Sequence, residues 1–211
     1  MKDYQLIVIG GGAAGMTVAA GAANLGAKVA LVEKKKHLGG DCLHVGCIPS
    51  KALIAASKEA SSMMQAARVL GTEFDGRDHY QSTKARVDRA REIIQEHDGT
   101  ERFTKLGVDV YIGEASFQSP YELKVGDDLL IGKKFVIATG SQPTVPPIDG
   151  LDTVPYLTNE DVFHEETLPE SIIVIGAGTI GLELAQSFAR LGSQVTVLEA
   201  LDTFLPKEDE S

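Results

Sequence analysis

Apolar residues recur along the chain in two rhythms. Residues 4–9 form a short run rich in β-branched side chains without polar alternation, the pattern of a parallel strand covered on both faces. Residues 16–25 continue at helical spacing, Gly26 ends that helix, and residues 28–32 form a second apolar strand. An alanine-rich helix is predicted over 51–70. A second helix, with apolar positions among charges, is predicted over 80–106, and 71–78 is the loop between them. Its charges Lys84, Arg86, Asp88, Arg89, Arg91 and Glu92 read as a solvated face. Five short strand signals follow at 108–112, 115–118, 121–125, 129–131 and 133–137, separated by Gly, Pro and Asp turns. They suit an antiparallel insertion that returns to a parallel sheet. Residues 171–175, 182–191 and 194–198 read as strand, helix and strand.

The first strand runs into Gly10-Gly11-Gly12-Ala13-Ala14-Gly15. Read as G-x-G-x-x-G, Gly10 makes the tight turn, Gly12 lets backbone approach a pyrophosphate, and Gly15 allows the helix to pack closely on the strand. Glu33 closes the second strand eighteen positions after Gly15, where a carboxylate can bind the two hydroxyls of an adenosine ribose. A lone glycine motif is weak evidence. Here strand, helix, strand and terminal acid accompany it, and the whole unit recurs. Gly176-Ala177-Gly178-Thr179-Ile180-Gly181 is followed by Glu199, again eighteen positions after the last glycine. Between the two units, residues 142–150 carry three of the eight prolines and form the linker. The expected architecture is α/β: a Rossmann-like nucleotide-binding domain with an antiparallel β insertion over 1–147, then the start of a second over 148–211.

At 211 residues and 43% hydrophobic, the chain can bury a core for one or two domains. A net charge of -10 argues against nucleic acid as a partner, since phosphate binding wants clustered cations. The only basic run, Lys34-Lys35-Lys36, reads as a solvated loop after a strand. No uninterrupted apolar run reaches the ~18 residues of a membrane span. The first residues superficially resemble a secretory leader, but Asp3, the triple glycine and the helical pattern speak against one. A soluble, cytoplasmic protein is expected.

Cys42 and Cys47 are the only cysteines, spaced C-x4-C within GGDCLHVGCIPSKAL at 39–53. Pro49 suits the first turn of the helix that follows. A helix N-terminus carries partial positive charge, which favours a thiolate on at least one sulfur. Three readings compete: buried reduced thiols, half of a zinc site, and a redox-active disulfide. Zinc needs two further ligands, and His37, His44, His79, His97 and His164 show no paired metal spacing, so no metal is expected. The position of the pair between two nucleotide fingerprints favours redox chemistry, because a disulfide in a reducing compartment is usually catalytic.

The cysteine segment and the two glycine fingerprints, in this order, resemble the flavin-dependent pyridine nucleotide-disulfide oxidoreductases, the family of dihydrolipoamide dehydrogenase, mercuric reductase and glutathione reductase. The resemblance covers essentially the whole chain. Asp41 stands where the family usually has threonine, and His44 where dihydrolipoamide dehydrogenases usually have asparagine. The resemblance implies FAD on the first unit, held by Gly10, Gly12, Ala13, Ala14, Gly15, Glu33 and Lys34, with Gly40 and Asp41 beside the disulfide. Gly113, Glu114 and Ala115 would meet the adenine, and Ala138, Thr139, Gly140 and Ser141 would form a second flavin-contacting turn. It implies that Cys42 and Cys47 form the catalytic disulfide, Cys47 as the thiolate near the flavin and Cys42 as the exposed thiol that exchanges with substrate. Lys51 and Glu183 resemble an ion pair near the reactive edge of the flavin.

The second unit, through Gly176, Gly178, Thr179, Ile180, Gly181 and Glu199, would take NAD in preference to NADP. Glu199 would meet a 2′-phosphate as a like charge, and no arginine stands in the segment Ala200 to Ser211 to offset it. The implied function is electron transfer between NAD(H) and a disulfide or dithiol substrate, small or protein-bound, through FAD and the cysteine pair. A role in cell redox homeostasis and a homodimeric complete protein go with it. Mercuric reductase is the alternative within the family; a non-catalytic nucleotide-binding role and an inert role with reduced cysteines lie outside it. Residues 207–211 read as an acidic tail where the second unit would continue. The resemblance places further flavin contacts, a dimerisation domain and the catalytic histidine beyond Ser211. A chain ending there is expected to hold FAD weakly, to leave its second unit poorly ordered and to be inactive.

Overall fold

The computed structural model describes residues 2–205, so the tail at 207–211 lies outside the described residues. Packing divides the chain into two compact units: residues up to Cys47 together with Arg91–Glu160, and Ile48–Ala90 together with residues from Asp161 onward. This division differs from the cut at 147/148, which falls inside the first unit. The linker prolines cannot reveal it, because it depends on which helix faces find each other.

In the first unit, β1 (Lys2–Tyr4) and β2 (Leu6–Ile9) belong to different sheets, where the sequence suggests one strand. The chain changes sheets at Gln5, which hydrogen-bonds Lys28 twice. Its N–H donates to the Lys28 carbonyl at 3.0 Å, and its side-chain oxygen accepts the Lys28 N–H at 2.8 Å. After α1 (Ala13–Asn24) and β3 (Val29–Glu33) come the short α2 (Gly40–His44) and then α3 (Cys47–Leu70). The segment expected as one helix over 80–106 is two, α4 (Tyr80–Asp98) and α5 (Thr100–Lys105). Gly99 is extended between them, because glycine pays the largest backbone entropy to remain helical.

Next come β4 (Val108–Ile112), the antiparallel β5 (Ala115–Ser119), β6 (Glu122–Val125) and β7 (Asp128–Gly132), and then β8 (Phe135–Ile137). The parallel sheet runs β4-β3-β2-β8, while β1 pairs parallel with β7 at the edge of the β7-β6-β5 meander. Side chains alternate across the parallel sheet, and both faces are buried. Ile7, Ala30, Val32 and Tyr111 pack on Leu123, Val125 and Leu130 of the meander. Val8, Val29, Leu31 and Val108 pack with Ala19 of α1 and Phe103 of α5. Strand order reverses at β2, with β3 on one side and β8 on the other. In such sheets ligands bind at the carboxyl ends of the strands flanking that switch point.

In the second unit, β9 (Ser171–Ile175) and β10 (Gln194–Leu198) pair in parallel, joined by α6 (Thr179–Leu191). Leu53 and Ala60 of α3, Tyr80 and Val87 of α4, and Val162 and Phe163 pack on Phe188 and Leu191 of α6. That core is why the helical segment groups with the second glycine unit. Among the described residues no helix is long and apolar enough to cross a membrane.

Candidate active site and nucleotide-binding turns

At the carboxyl ends of β2 and β8 a cleft of about 830 Å³ opens in the first unit. Gly10 turns the chain into it at φ +109°, a left-handed conformation, and a Cβ there would lie 2.1 Å from the Ala138 carbonyl oxygen. Gly12 caps α1 without a side chain, so the first backbone N–H groups of the helix face the cleft beside Gly12, Ala13 and Ala14. Helix N-termini of this kind hold phosphate. Gly15 sits beneath the turn, buried, where an added Cβ would fall 1.8 Å from the Gly10 carbonyl oxygen.

Glu33, nearly buried, also lines the cleft, and its carboxylate accepts the Gly11 N–H at 2.7 Å and the Lys35 N–H at 2.8 Å. These bonds hold the carboxylate at the rim while leaving each oxygen a further lone pair for ribose hydroxyls. Lys34, Gly40, Asp41 and Cys42 line the same cleft. So do Gly113, Glu114 and Ala115 after β4, and Ala138 through Ser141 after β8. Ile9, Val32, Lys35, Gln142 and Glu160 line the cleft as well, and no sequence motif names them. The first four adjoin residues expected there. Glu160 follows the linker in a stretch with no motif, so nothing local marks it. The glycine cradle, the helix N-terminus and the rim carboxylate suit the pyrophosphate and adenosine ribose of FAD.

The second unit repeats the design. Gly176 has φ +104°, Gly178 caps α6, and a Cβ on Gly181 would lie 2.2 Å from the Gly176 carbonyl oxygen. Glu199 accepts the Ala177 N–H at 2.8 Å, the counterpart of the Gly11–Glu33 bond. It also accepts the N–H groups of Ala200 and Leu201. These backbone donors, Ala177 first, hold its carboxyl below the usual carboxylate range, so it carries full charge at neutral pH. Thr179 and Ile180 open α6 and are exposed.

The thiols lie on two helices, Cys42 within α2 and Cys47 as the first residue of α3. Both are present as thiols, Cys42 half-buried and Cys47 exposed. This reverses the exposure expected of them, since Cys42 lies mid-helix with its neighbour Leu43 in the core, whereas Cys47 opens a helix end. Burial, and then the hydrogen bond and charge of Cys47, push the Cys42 thiol up from its ordinary value. The folded chain therefore keeps this proton to higher pH than the unfolded one. Its contribution to stability is complete below the ordinary thiol pKa and is lost as pH rises through the raised value. In the reduced protein, the pH-rate profile for alkylation of Cys42 is expected to have its midpoint above the ordinary thiol range. Cys47→Ser should lower that midpoint while burial keeps it raised. A midpoint at or below the ordinary value contradicts this.

Lys51 on α3 and Glu183 on α6 meet in the second unit, Nζ lying 2.6 Å from both carboxylate oxygens. Their side chains are 60% and 38% exposed, so the pair contributes about 0–1 kcal/mol to stability. Among the described residues no group of three or more His, Cys, Asp or Glu could hold a metal ion.

The described residues thus carry two glycine turns of one design and, between them in sequence, two thiols on successive helices. A model of the family described as pyridine nucleotide-disulphide oxidoreductase matches residues 4–211, and the chain belongs to that family. It is 36% identical over 215 residues to the dihydrolipoyl dehydrogenase of Acholeplasma laidlawii, covering 99% of this chain and 63% of that protein. It is 37% identical over 225 residues to the mercuric reductase of Serratia marcescens, covering 100% and 47%. Among solved structures, the HOCl-induced flavoprotein disulfide reductase RclA from Escherichia coli matches with a TM-score of 0.83 at 32% identity, covering 98% of this chain and 44% of that one. The chain thus spans between about half and two-thirds of the length of these curated relatives. The family's members are oxidoreductases that use a flavin and a pyridine nucleotide.

Proposed function

We propose that this chain is the flavin- and disulfide-bearing part of a dihydrolipoamide dehydrogenase-like oxidoreductase, passing electrons between NAD(H) and a disulfide or dithiol substrate. The observation that carries the reading is the cleft that joins the first glycine turn to Cys42: one wall is the nucleotide cradle and another is α2. The first turn and Glu33 would hold FAD, which supplies two-electron exchange between nicotinamide and thiols. Cys42 and Cys47 would cycle between dithiol and disulfide, two protons and two electrons leaving as the S–S bond forms. Such cycling suits a reducing compartment, and the reading is of a cytoplasmic protein, homodimeric when complete.

The test is spectroscopic. Reducing the full-length, flavin-loaded protein by two electrons is expected to add long-wavelength charge-transfer absorbance to the flavin band, the signature of a thiolate beside it. A protein that binds FAD without that band is a nucleotide binder and not a disulfide reductase of this kind.

A second reading, reduction of a thiophilic metal ion, draws on the mercuric reductase relatives and on the Cu(II) complexes of RclA among the matched structures. Soft thiolates would receive such an ion as substrate. Turnover with Hg(II) or Cu(II) and none with a dihydrolipoyl substrate would favour it.

Two further outcomes belong to the first reading. In the complete protein NADH is expected to exceed NADPH in kcat/KM by about tenfold or more, since a 2′-phosphate would face the charged Glu199. A preference for NADPH overturns the coenzyme assignment. In the complete protein Lys51→Ala is expected to slow flavin reduction by NADH while changing unfolding free energy by less than about 1 kcal/mol. An unchanged rate makes the Lys51–Glu183 pair structural.

A further inference from the structure

The short helix α2 carries Cys42 but cannot hold itself in place, because five residues are too few for a helix to persist without outside contacts. Its position is set by what grips its ends. At the N-terminal side, the Gly39 N–H donates to the Gly11 carbonyl at 2.8 Å, tying α2 to the first glycine turn. At the C-terminal side there are two grips. Arg91 of α4 donates from its guanidinium to the His44 carbonyl at 3.2 Å, satisfying an acceptor that the helix end leaves open. The His44 ring bonds through Nε2 to the Leu38 carbonyl at 2.9 Å, and Leu38 is fully buried. A carbonyl only accepts, so the ring donates from Nε2. His44 is thus tied by its own backbone to α4 and by its ring to the core, two residues after Cys42.

We propose that Arg91 and His44 are positioning residues for Cys42: by fixing the C-terminal end of α2 they restrict where the Cys42 sulfur stands relative to Cys47 and so set the dithiol–disulfide equilibrium of the pair. The proposal rests on the reading of Cys42 and Cys47 as a redox couple. The physical link is effective concentration. Closing the disulfide removes two protons and two electrons from the two thiols and forms one S–S bond. The freer α2 is in the dithiol, the more conformational entropy that closure costs. Neither grip bonds the sulfur itself, so their loss alters how often the thiols meet and leaves both thiols chemically intact.

The experiment equilibrates the protein at pH 7 with defined ratios of oxidised and reduced dithiothreitol. The oxidised reagent takes up the two electrons and two protons as its own disulfide opens. Acid quenching, alkylation and mass measurement then count the Cys42 and Cys47 thiols. Wild type is expected to titrate as one two-electron couple. His44→Ala and Arg91→Ala are each expected to shift the equilibrium about tenfold toward the dithiol, which for two electrons is a rise of about 30 mV. His44→Asn and Arg91→Lys keep a donor at each site and should move it about threefold; they carry the test if the alanine variants do not fold. Shifts below twofold in all folded variants, with wild type titrating normally, overturn the positioning role. If wild type shows no two-electron couple, the redox reading of the pair fails, and this inference fails with it.

Discussion

Replacing either thiol by serine in the complete, flavin-loaded protein is expected to abolish disulfide-linked turnover, a loss on the order of 10³-fold or more, because each sulfur is a reacting atom with no substitute. The fold should survive. Cys47 is exposed and Cys42 half-buried, and exchanging sulfur for oxygen at such sites costs within about 1 kcal/mol. The two variants should differ by spectrum. If Cys47 is the thiolate beside the flavin, Cys42→Ser retains charge-transfer absorbance on reduction and Cys47→Ser loses it; the opposite pattern reverses the roles. Exposure alone does not choose between them. Turnover within tenfold of wild type in either variant would sink the mechanism.

Gly15→Ala in the complete protein is expected to eliminate detectable FAD binding and to destabilise it by about 1–3 kcal/mol, the range for forcing extra volume into a packed site. The added Cβ would lie 1.8 Å from the Gly10 carbonyl oxygen and 3.2 Å from Val8 Cγ1. The first of these is backbone, so α1 must withdraw from β2 and carry its N–H groups out of the cleft. Gly21→Ala in the same helix is the control. Nothing lies within 4 Å of a Cβ there, so the exchange should leave FAD binding alone and stabilise the helix by about 0.5–1 kcal/mol. Flavin titration and denaturant unfolding of both variants check this. If Gly15→Ala bound FAD as wild type does, the close-packing account of the turn would be wrong.

The sequence by itself determined the elements whose local chemistry permits only one outcome. Gly10 must adopt a backbone angle that side chains disfavour, and Gly15 and Gly181 must admit a helix against a strand; these demands are written in residue identity, so both nucleotide units were legible with their terminal Glu33 and Glu199. Apolar runs likewise mark β2 and β3, which are covered on both faces, and the half-buried return strand β8. Tertiary structure decided what depends on partners distant in the chain. Gln5 splits the first strand because Lys28 lies beside it, and no pattern within 4–9 encodes that. The helical segment after Cys47 joins the second packing unit because Leu53, Ala60, Tyr80 and Val87 match the apolar face of α6. Glu160 reaches the cleft, and Arg91, read in the sequence as one charge on a solvated face, grips the helix that carries Cys42. A side chain's role follows from its own chemistry only when the backbone nearby must obey it. Where the role is to meet another segment, the packing that brings the segments together decides.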